Sequence, residues 1–208
     1  MPPDYRLIAV TAPELTGQDV LDDCRAAVAG GATAIQVRLK RAGAAELLRA
    51  TERLLGAVDV PVYVNDRLDV ALAAGAHGVH LGADDLPPDG IRSIAPSVLR
   101  VGLSVGSDAE ATDAARAYAH YWSLGPFFRT RSKADAGAPL GPDGFRRLAA
   151  LAPEGVPVVA IGGIDDGNVS TVIDAGGHGV AVISAIFGAA DIEASTRRIR
   201  DALDAAIR

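Results

Sequence analysis

The sequence predicts an α/β fold, a minimal (β/α)₈ TIM barrel that forms a single domain over residues 1–208. Short, continuously apolar runs bounded by Gly, Pro or Asp recur along the chain, as expected of strands buried on both faces of a parallel sheet. Segments with helical periodicity lie between these runs. Eight such βα units fit into 208 residues without a linker or a low-complexity segment. A doubly wound sheet usually has fewer strands, so the barrel is favoured.

The predicted elements alternate in chain order. β-Branched and apolar runs predict strands over Leu7–Val10, Ala34–Val37, Val62–Val64, Gly78–Leu81, Arg100–Leu103, Tyr121–Leu124, Pro157–Ile161 and Gly179–Ile183. Periodic apolar positions predict helices over Asp19–Ala29, Ala44–Val58, Ala109–Ala119, Gly144–Ala152 and Ile192–Ile207, and a weaker period predicts Leu68–Ala74, Pro88–Ala95 and Gly167–Ala175. Glycines such as Gly75 and Gly176 stand where a helix ends and turns into the next strand, and His77 and His178 beside them are interpreted as turn residues.

Composition excludes several classes of function. The 20 basic and 26 acidic residues give a net charge of −6, which argues against a general binder of nucleic acid or anionic membranes. No apolar run approaches the roughly 20 residues that span a bilayer, and the first residues do not resemble an export signal. The single cysteine, Cys24, cannot form an internal disulfide. We therefore expect a cytoplasmic protein.

Three polar residues alternate at the end of the second strand. Strand geometry sends Gln36, Arg38 and Lys40 to one side and the apolar residues between them to the other. Chemistry in a (β/α)₈ barrel collects at the carboxyl ends of the strands. Two cations and an amide that face this end favour an anion site over a solvated strand end.

Amide and carboxyl groups follow the third and fourth strands. Asn65 and Asp66 could serve only as caps of the next helix, or they could belong to a site together with Asp85 in the following loop. Two carboxylates from adjacent loops suit Mg²⁺, which completes its shell with water and substrate phosphate oxygens. Zinc is disfavoured, because there is no cysteine cluster and the four histidines are scattered. His80 either lines the barrel interior or contacts substrate, and the structural role is favoured slightly.

Further polar groups lie after the fifth and sixth strands. Ser104 offers a hydroxyl, but no Gly-x-Ser-x-Gly motif surrounds it, so a serine hydrolase is disfavoured. The connection from Gly125 to Gly141 is unusually long, and structureless connections of this length are usually functional. Three cations and two hydroxyls in this connection suggest that it folds over phosphate: Arg129, Thr130, Arg131, Ser132 and Lys133. With Arg38 and Lys40, five of the 20 cations are expected at one barrel mouth.

The seventh and eighth strands lead into glycine and serine. Gly162 would let the backbone approach a ligand closely, and Ile183 and Ser184 end the eighth strand. In barrels of this kind, the loops after these two strands often present backbone N–H groups to phosphate. A second phosphate site is therefore predicted here.

These motifs resemble, in order and spacing, those of the thiamine-phosphate synthase family over nearly the whole chain. The motifs are Gln36-Val-Arg-Leu-Lys40, Asn65-Asp66-Arg67, His80-Leu-Gly-Ala-Asp-Asp85, the loop from Gly125 to Lys133, and Ala160-Ile-Gly-Gly-Ile164. The resemblance implies a transferase that joins 4-amino-2-methyl-5-hydroxymethylpyrimidine diphosphate to 4-methyl-5-hydroxyethylthiazole phosphate, giving thiamine phosphate and diphosphate. It also implies that the bond between pyrimidine and diphosphate ionises before the thiazole nitrogen attacks. The expected partners are these two phosphorylated substrates, with no nucleic acid and no membrane, and a homo-oligomer is left open.

The resemblance implies a role for each matching residue. Asp66 and Asp85 would hold Mg²⁺. The pyrimidine diphosphate would contact Gln36, Arg38, Lys40, Asn65, Ser104 and Lys133, of which Arg38, Lys40, Ser104 and Lys133 are the expected catalytic residues. The thiazole phosphate would contact Thr130, Ser132, Gly162, Ile183 and Ser184.

The chain also departs from the family pattern, which keeps two alternatives open. Ala83 replaces a common Gln, Gly106 a common His and Arg129 a common Pro, while Arg131 fills a variable position. One alternative is a thiazole tautomerase of the same superfamily, in which a His on the loop after strand five is expected to transfer protons. Gly106 argues against that role. The other alternative is a barrel that binds phosphate ligands without catalysis.

Overall fold

A computed structural model describes residues 4–12, 17–87, 90–91, 93–94, 97–114, 118–130, 132 and 137–208. In these residues, eight parallel strands close into a barrel. Each strand pairs with the next one along the chain, and the first strand pairs with the last. The predicted (β/α)₈ barrel is therefore confirmed.

The strands match their predicted positions closely. They are β1 Leu7–Val10, β2 Ala34–Val37, β3 Val62–Asn65, β4 Gly78–Leu81, β5 Arg100–Val105, β6 Tyr121–Leu124, β7 Val158–Ile161 and β8 Gly179–Val182. Almost every strand residue is buried, because one face of the sheet packs on the helices and the other fills the barrel. β5 extends two residues beyond its predicted end, so Ser104 lies inside the strand.

The helices differ from prediction mainly at their ends. They are α1 Gly17–Ala29, α2 Ala44–Leu55, α3 Leu68–Ala74, α4 Asp108–Ala114, α5 Gly141–Ala149, α6 Val169–Asp174, α7 Ser184–Phe187 and α8 Ile192–Ile207. The predicted end of α4 at Ala119 is wrong, because Tyr118 and Ala119 are already non-helical as the chain approaches β6. Half of the predicted helix over Pro88–Ala95, residues 88, 89, 92 and 95, lies outside the described residues. No described helix is long and apolar enough to cross a membrane.

Aromatic rings fill the barrel interior at the amino ends of the strands. Tyr5, Tyr63 and Tyr121 are buried there, and the Tyr63 hydroxyl donates a hydrogen bond to the Tyr5 hydroxyl at 3.0 Å. Gly78 and Gly102 make room for the rings, because a Cβ at Gly78 would overlap Tyr63 and a Cβ at Gly102 would overlap Tyr121. The amino end of the barrel is thereby closed, and the open space lies at the carboxyl ends of the strands.

Two histidines stabilise the amino ends of β3 and β5. Nδ1 of His77 accepts a hydrogen bond from the Val62 N–H at 3.1 Å, and Nδ1 of His120 accepts one from the Val101 N–H at 2.9 Å. His77 therefore has the structural role expected of it. Gly75, just before it, ends α3 with a φ of 67°, as the sequence predicts.

Candidate active site

A cavity of about 380 Å³ opens at the carboxyl ends of the strands, and every strand or the loop after it contributes to its wall. The structure thus brings together side chains that are far apart in sequence. The predicted site residues that line the cavity are Gln36, Arg38, Lys40, Asn65, Asp66, Ser104, Thr130, Ser132, Gly162, Ile183 and Ser184.

Four other predicted residues are not among those that line the cavity in the described part of the chain. Lys133 and Arg131 are outside the described residues. Asp85 does not line the cavity, but its Oδ2 accepts a hydrogen bond at 2.7 Å from the N–H of Gly82, which does. Arg129 is exposed and does not line the cavity, and its backbone carbonyl lies close to Gly163. The expectation that Arg129 joins the cations of the barrel mouth stays a prediction, since its loop neighbour Thr130 lines the cavity.

The β2 and β3 ends form a connected polar wall. Gln36 Nε2 donates a hydrogen bond to Asn65 Oδ1 at 2.7 Å, and Lys40 Nζ donates one to Asp66 Oδ2 at 3.2 Å. The alternative in which Asn65 and Asp66 merely cap the next helix is wrong, because α3 has Arg67 at its N-cap and no side chain there bonds the helix backbone. Both residues instead face the predicted anion-binding side chains.

Arg38 carries a buried donor that nothing in the described part of the chain satisfies. Its Nη1 is buried without a hydrogen-bond partner there, although the residue lines the cavity. An unsatisfied buried donor costs about 1–3 kcal/mol, and more when it is charged. A phosphate oxygen is an acceptor that a guanidinium binds well. This atom therefore indicates where an anion would bind.

Asp66 and Asp85 form a pair of carboxylates at the mouth. Asp66 has a φ of 64°, a left-handed conformation that Asp adopts more readily than most residues. Burial raises the pKa of Asp85, and the charge of Asp66 and its contact with Asp85 raise it further, while the Gly82 N–H and Lys40 act in the opposite direction. The two carboxylates are therefore close enough to repel each other.

This pair fits the Mg²⁺ expected from the sequence. A divalent cation between the carboxylates would relieve their repulsion, and Mg²⁺ is usually held by one or two carboxylates together with water and substrate phosphate. Among the described residues, no group of three or more His, Cys, Asp or Glu side chains is placed to hold a metal ion. Two carboxylates would leave the other coordination positions of Mg²⁺ to water and substrate oxygens.

His80 has a wider role than its sequence position indicated. It is buried, its Nδ1 lies 2.8 Å from the Tyr121 hydroxyl, and its Nε2 lies 2.9 Å from Ser104 Oγ. It also lines the cavity. The two interpretations left open for His80 are therefore not exclusive, since its ring joins the barrel interior to a predicted substrate-binding hydroxyl.

Glu110 lines the cavity and was not singled out from the sequence. Its Oε2 accepts a hydrogen bond from the Gly106 N–H at 2.8 Å, and its own N–H donates to Ser107 Oγ at 3.2 Å. The spacing Ser107-x-x-Glu110 is that of a capping box at the start of α4. This signal was available in the sequence, and it indicates that Glu110 orders the loop after β5.

The opposite wall is built from closely packed loops. Gly162 and Gly163 have φ values of 103° and 67°, and a Cβ at Gly162 would lie 2.7 Å from Pro126 Cβ. Asn168 holds this wall in place, because its Nδ2 donates a hydrogen bond at 2.9 Å to the Gly163 carbonyl. Glycine is needed here by the close approach of the sixth and seventh loops.

The described ends of the long sixth loop are tied together. The Leu140 N–H donates a hydrogen bond to the Pro126 carbonyl at 2.8 Å, so the loop returns to its starting point. At its near end, the Ser132 N–H donates to Thr130 Oγ1 at 3.2 Å. Thr130 and Ser132 thereby reach the same cavity as Gly162 and Ser184, and this wall carries hydroxyls and glycines where the β2–β3 wall carries charges.

Comparisons with known proteins agree with this geometry. A sequence model of the family described as thiamine monophosphate synthase matches residues 7–186. The thiamine-phosphate synthase of Moorella thermoacetica is 43% identical over 203 residues, which cover 96% of each chain. That of Agrobacterium fabrum is 44% identical over 99% of this chain and 96% of its own. That of Methanoculleus marisnigri is 46% identical over 97% of each chain.

Solved structures give the same picture. A thiamine phosphate pyrophosphorylase from Pyrococcus furiosus superposes with a TM-score of 0.89 at 36% identity, and the match covers 100% of this chain and 99% of that one. A 3-hexulose-6-phosphate synthase superposes with a TM-score of 0.71 at 19% identity, over 94% of this chain and 98% of that one. The second likeness shows the barrel fold alone.

Proposed function

The chain belongs to the thiamine monophosphate synthase family, and we propose that it is a thiamine-phosphate synthase with the substrates that the motifs imply. It is a transferase that joins the hydroxymethylpyrimidine diphosphate to the hydroxyethylthiazole phosphate. The products are thiamine phosphate and diphosphate. The observation that carries the proposal is that motif residues from separate strands line one cavity with two chemically different walls.

The β2–β3 wall is suited to the diphosphate. Arg38 offers a buried, unpaired Nη1, and Lys40 adds a second cation beside it. Asp66 and Asp85 would hold Mg²⁺, which supplies further positive charge against the diphosphate when it is bound. Lys133, known from its motif alone, is proposed to bind the same group. Preorganised charges of this kind stabilise a departing anion, and that is what a step that begins with ionisation requires.

The remaining residues would position the two rings. Gln36 and Asn65 are joined by a hydrogen bond, so their amides form a fixed surface for the pyrimidine diphosphate. Thr130, Ser132, Gly162, Ile183 and Ser184 lie on the other side of the cavity, where we place the thiazole phosphate. An acceptor held across from the leaving group would be ready to attack as the pyrimidine cation forms.

The proposal includes a location in the cytoplasm. The single cysteine, Cys24, is buried, and burial raises its thiol pKa to about 12. A single cysteine cannot form a disulfide within the chain, so the fold does not depend on an oxidising compartment.

The test is an assay of the purified protein with both substrates and Mg²⁺. Thiamine phosphate and diphosphate should appear in equal amounts, and chelation of Mg²⁺ should stop their formation. Isomerised thiazole carboxylate phosphate, formed from the tautomerase substrate, would instead support the tautomerase. Binding of both phosphorylated substrates without any product would support the non-catalytic barrel.

A further inference from the structure

A buried hydrogen-bonded chain connects the centre of the barrel to the cavity. It runs from the Tyr121 hydroxyl on β6 to His80 Nδ1 on β4, and from His80 Nε2 to Ser104 Oγ on β5. Tyr121 is fully buried, His80 is buried, and Ser104 lines the cavity. This series of hydrogen bonds therefore begins at a buried phenol and ends at the Ser104 hydroxyl, which we place against the pyrimidine diphosphate.

The surroundings of Tyr121 determine which group donates and which accepts in this series of hydrogen bonds. Complete burial raises the pKa of Tyr121 well above its ordinary value, so its phenol keeps the proton. Among the described residues, the Tyr121 hydroxyl has His80 Nδ1 as its hydrogen-bond partner. The neighbouring Tyr63 hydroxyl donates its hydrogen to Tyr5 and not to Tyr121. A buried hydroxyl that donated to nothing would lose a hydrogen bond in the interior. Tyr121 is therefore the donor and His80 Nδ1 the acceptor.

Packing holds the phenol in place. The Tyr121 ring lies with its centroid 4.6 Å from that of Tyr5, and it occupies the space left by the missing side chain of Gly102. The His80 ring lies with its centroid 5.5 Å from the Tyr121 ring. Neither ring can turn away without opening a void in a closely packed interior.

The direction fixes the tautomer of His80 and the orientation of Ser104. If Nδ1 accepts from Tyr121, the neutral imidazole carries its proton on Nε2, and that N–H donates to Ser104 Oγ. The Ser104 hydroxyl then has its own proton left for an acceptor in the cavity. In the opposite tautomer, Ser104 would donate to His80 and present only lone pairs to a diphosphate oxygen, which would be repulsive.

We propose that His80 is a positioning residue for the transfer reaction, which Tyr121 holds in the Nε2–H tautomer so that the Ser104 hydroxyl donates its hydrogen to the departing diphosphate. The inference rests on the proposed function, because that function supplies the anion. The hydrogen bond from Ser104 strengthens as negative charge grows on the leaving group, so its effect falls on turnover more than on binding. Neither His80 nor Tyr121 gains or loses a proton in this scheme.

The first test is spectroscopic and needs no substrate. In the ¹⁵N-labelled protein near neutral pH, the His80 ring shifts should be those of a protonated Nε2 and an unprotonated Nδ1. The Tyr121→Phe variant, which keeps the ring and removes the hydroxyl, should lose this preference. A protonated Nδ1 in the unmodified protein would overturn the inference, whether or not the protein has synthase activity.

The second test separates turnover from binding. Tyr121→Phe should lower kcat about tenfold and leave KM for both substrates nearly unchanged, because the lost orientation matters most in the transition state. His80→Gln, which can keep an N–H near Ser104, should retain more activity than His80→Leu. Unchanged kcat in Tyr121→Phe, or equal losses in the two His80 variants, would contradict the positioning role.

Tyr63→Phe is the matched control. It removes a phenol hydroxyl from the same barrel interior, but that hydroxyl donates its hydrogen bond to Tyr5 and not to His80. Its kcat and the ¹⁵N shifts of His80 should equal those of the unmodified protein. An equal loss of kcat in Tyr63→Phe and Tyr121→Phe would assign the effect to packing and overturn the inference. An unmodified protein that forms no thiamine phosphate would instead refute the proposed function, while the ¹⁵N result would still decide the tautomer.

Discussion

The two ends of the barrel treat polar groups in opposite ways. At the amino end, the protein satisfies most of them itself: His77 and His120 accept backbone N–H groups and Tyr63 donates to Tyr5, while Trp122 Nε1 is the exception among the described residues. At the carboxyl end, the Asp66 and Asp85 carboxylates repel each other and Arg38 Nη1 lacks a partner among the described residues. Groups that are not satisfied within a fold are those that a ligand can satisfy. The amino end should therefore govern stability, and the carboxyl end should govern chemistry.

The largest effect should come from removing a charge at the carboxyl end. We expect Asp66→Asn to lower turnover by about 10²-fold or more, because a group that neutralises the departing diphosphate is lost. The free energy of unfolding should change little, since Asn also tolerates the positive φ of 64° at this position. Steady-state rates and thermal unfolding measure the two quantities. Lys133→Ala should behave in the same way, a prediction that rests on its sequence motif.

Asp143→Asn is the matched control for Asp66→Asn. Asp143 is a fully exposed carboxylate that pairs with Arg146 within α5, and it should be replaced without loss of turnover. Near-normal rates in both Asp66→Asn and Lys133→Ala would contradict the assignment of the diphosphate wall. A large loss of stability in Asp66→Asn would contradict the assignment of stability to the amino end and of chemistry to the carboxyl end.

A change at the amino end should have the reverse effect. In Gly78→Ala, the new Cβ would overlap the Tyr63 ring and lie 2.6 Å from the Arg100 carbonyl, so a side chain and a strand backbone must both shift. Overpacking of this kind costs about 1–3 kcal/mol of unfolding free energy. Urea unfolding measures the loss, and turnover of the folded fraction should remain close to that of the unmodified protein.

Gly43→Ala provides the comparison for Gly78→Ala. Gly43 precedes α2 with an ordinary φ of −73°, and nothing lies within 4 Å of a Cβ built there. We expect its unfolding free energy to stay within about 0.5 kcal/mol of the original value. If Gly78→Ala were as stable as Gly43→Ala, the tyrosine packing at the amino end would not be tight.

The positions of the strands and of several site residues could be predicted from local sequence patterns. Continuous apolar runs located the strands, because a parallel sheet covered on both faces has no polar side. Alternation along one strand placed Gln36, Arg38 and Lys40 on the same wall, because side chains in a strand repeat every second residue. Both patterns depend only on the conformation of a few consecutive residues.

The parts that could not be predicted depend on contacts between strands. The link from Tyr121 through His80 to Ser104 requires the register of β4, β5 and β6, in which both His80 and Tyr121 pair with Gly102. Gly78 was predicted only as the first residue of a strand, since the Tyr63 ring that needs its space comes from the neighbouring strand.

The smallest effect should appear as a pH dependence at the amino end. Burial, together with the charge of Arg100, lowers the pKa of both His77 and His120 below the ordinary value of 6.5. The unfolded chain therefore binds protons more readily than the folded protein, so stability should be full above pH 6.5 and decline as the pH falls below it. Protonation would also remove the acceptor for the Val62 and Val101 N–H groups.

Replacing both histidines by Asn tests this pH dependence. An Asn oxygen can accept the same backbone hydrogen bonds and does not titrate, so the decline in stability between pH 6.5 and 5 should become shallower. His120→Asn alone should account for more of the change than His77→Asn, because His77 is the more exposed of the two. The measurement is urea unfolding at a series of pH values, with turnover at neutral pH expected to stay unchanged. An identical decline in the double variant would mean that the acid sensitivity arises elsewhere, with the carboxylates of the carboxyl end as the next groups to replace.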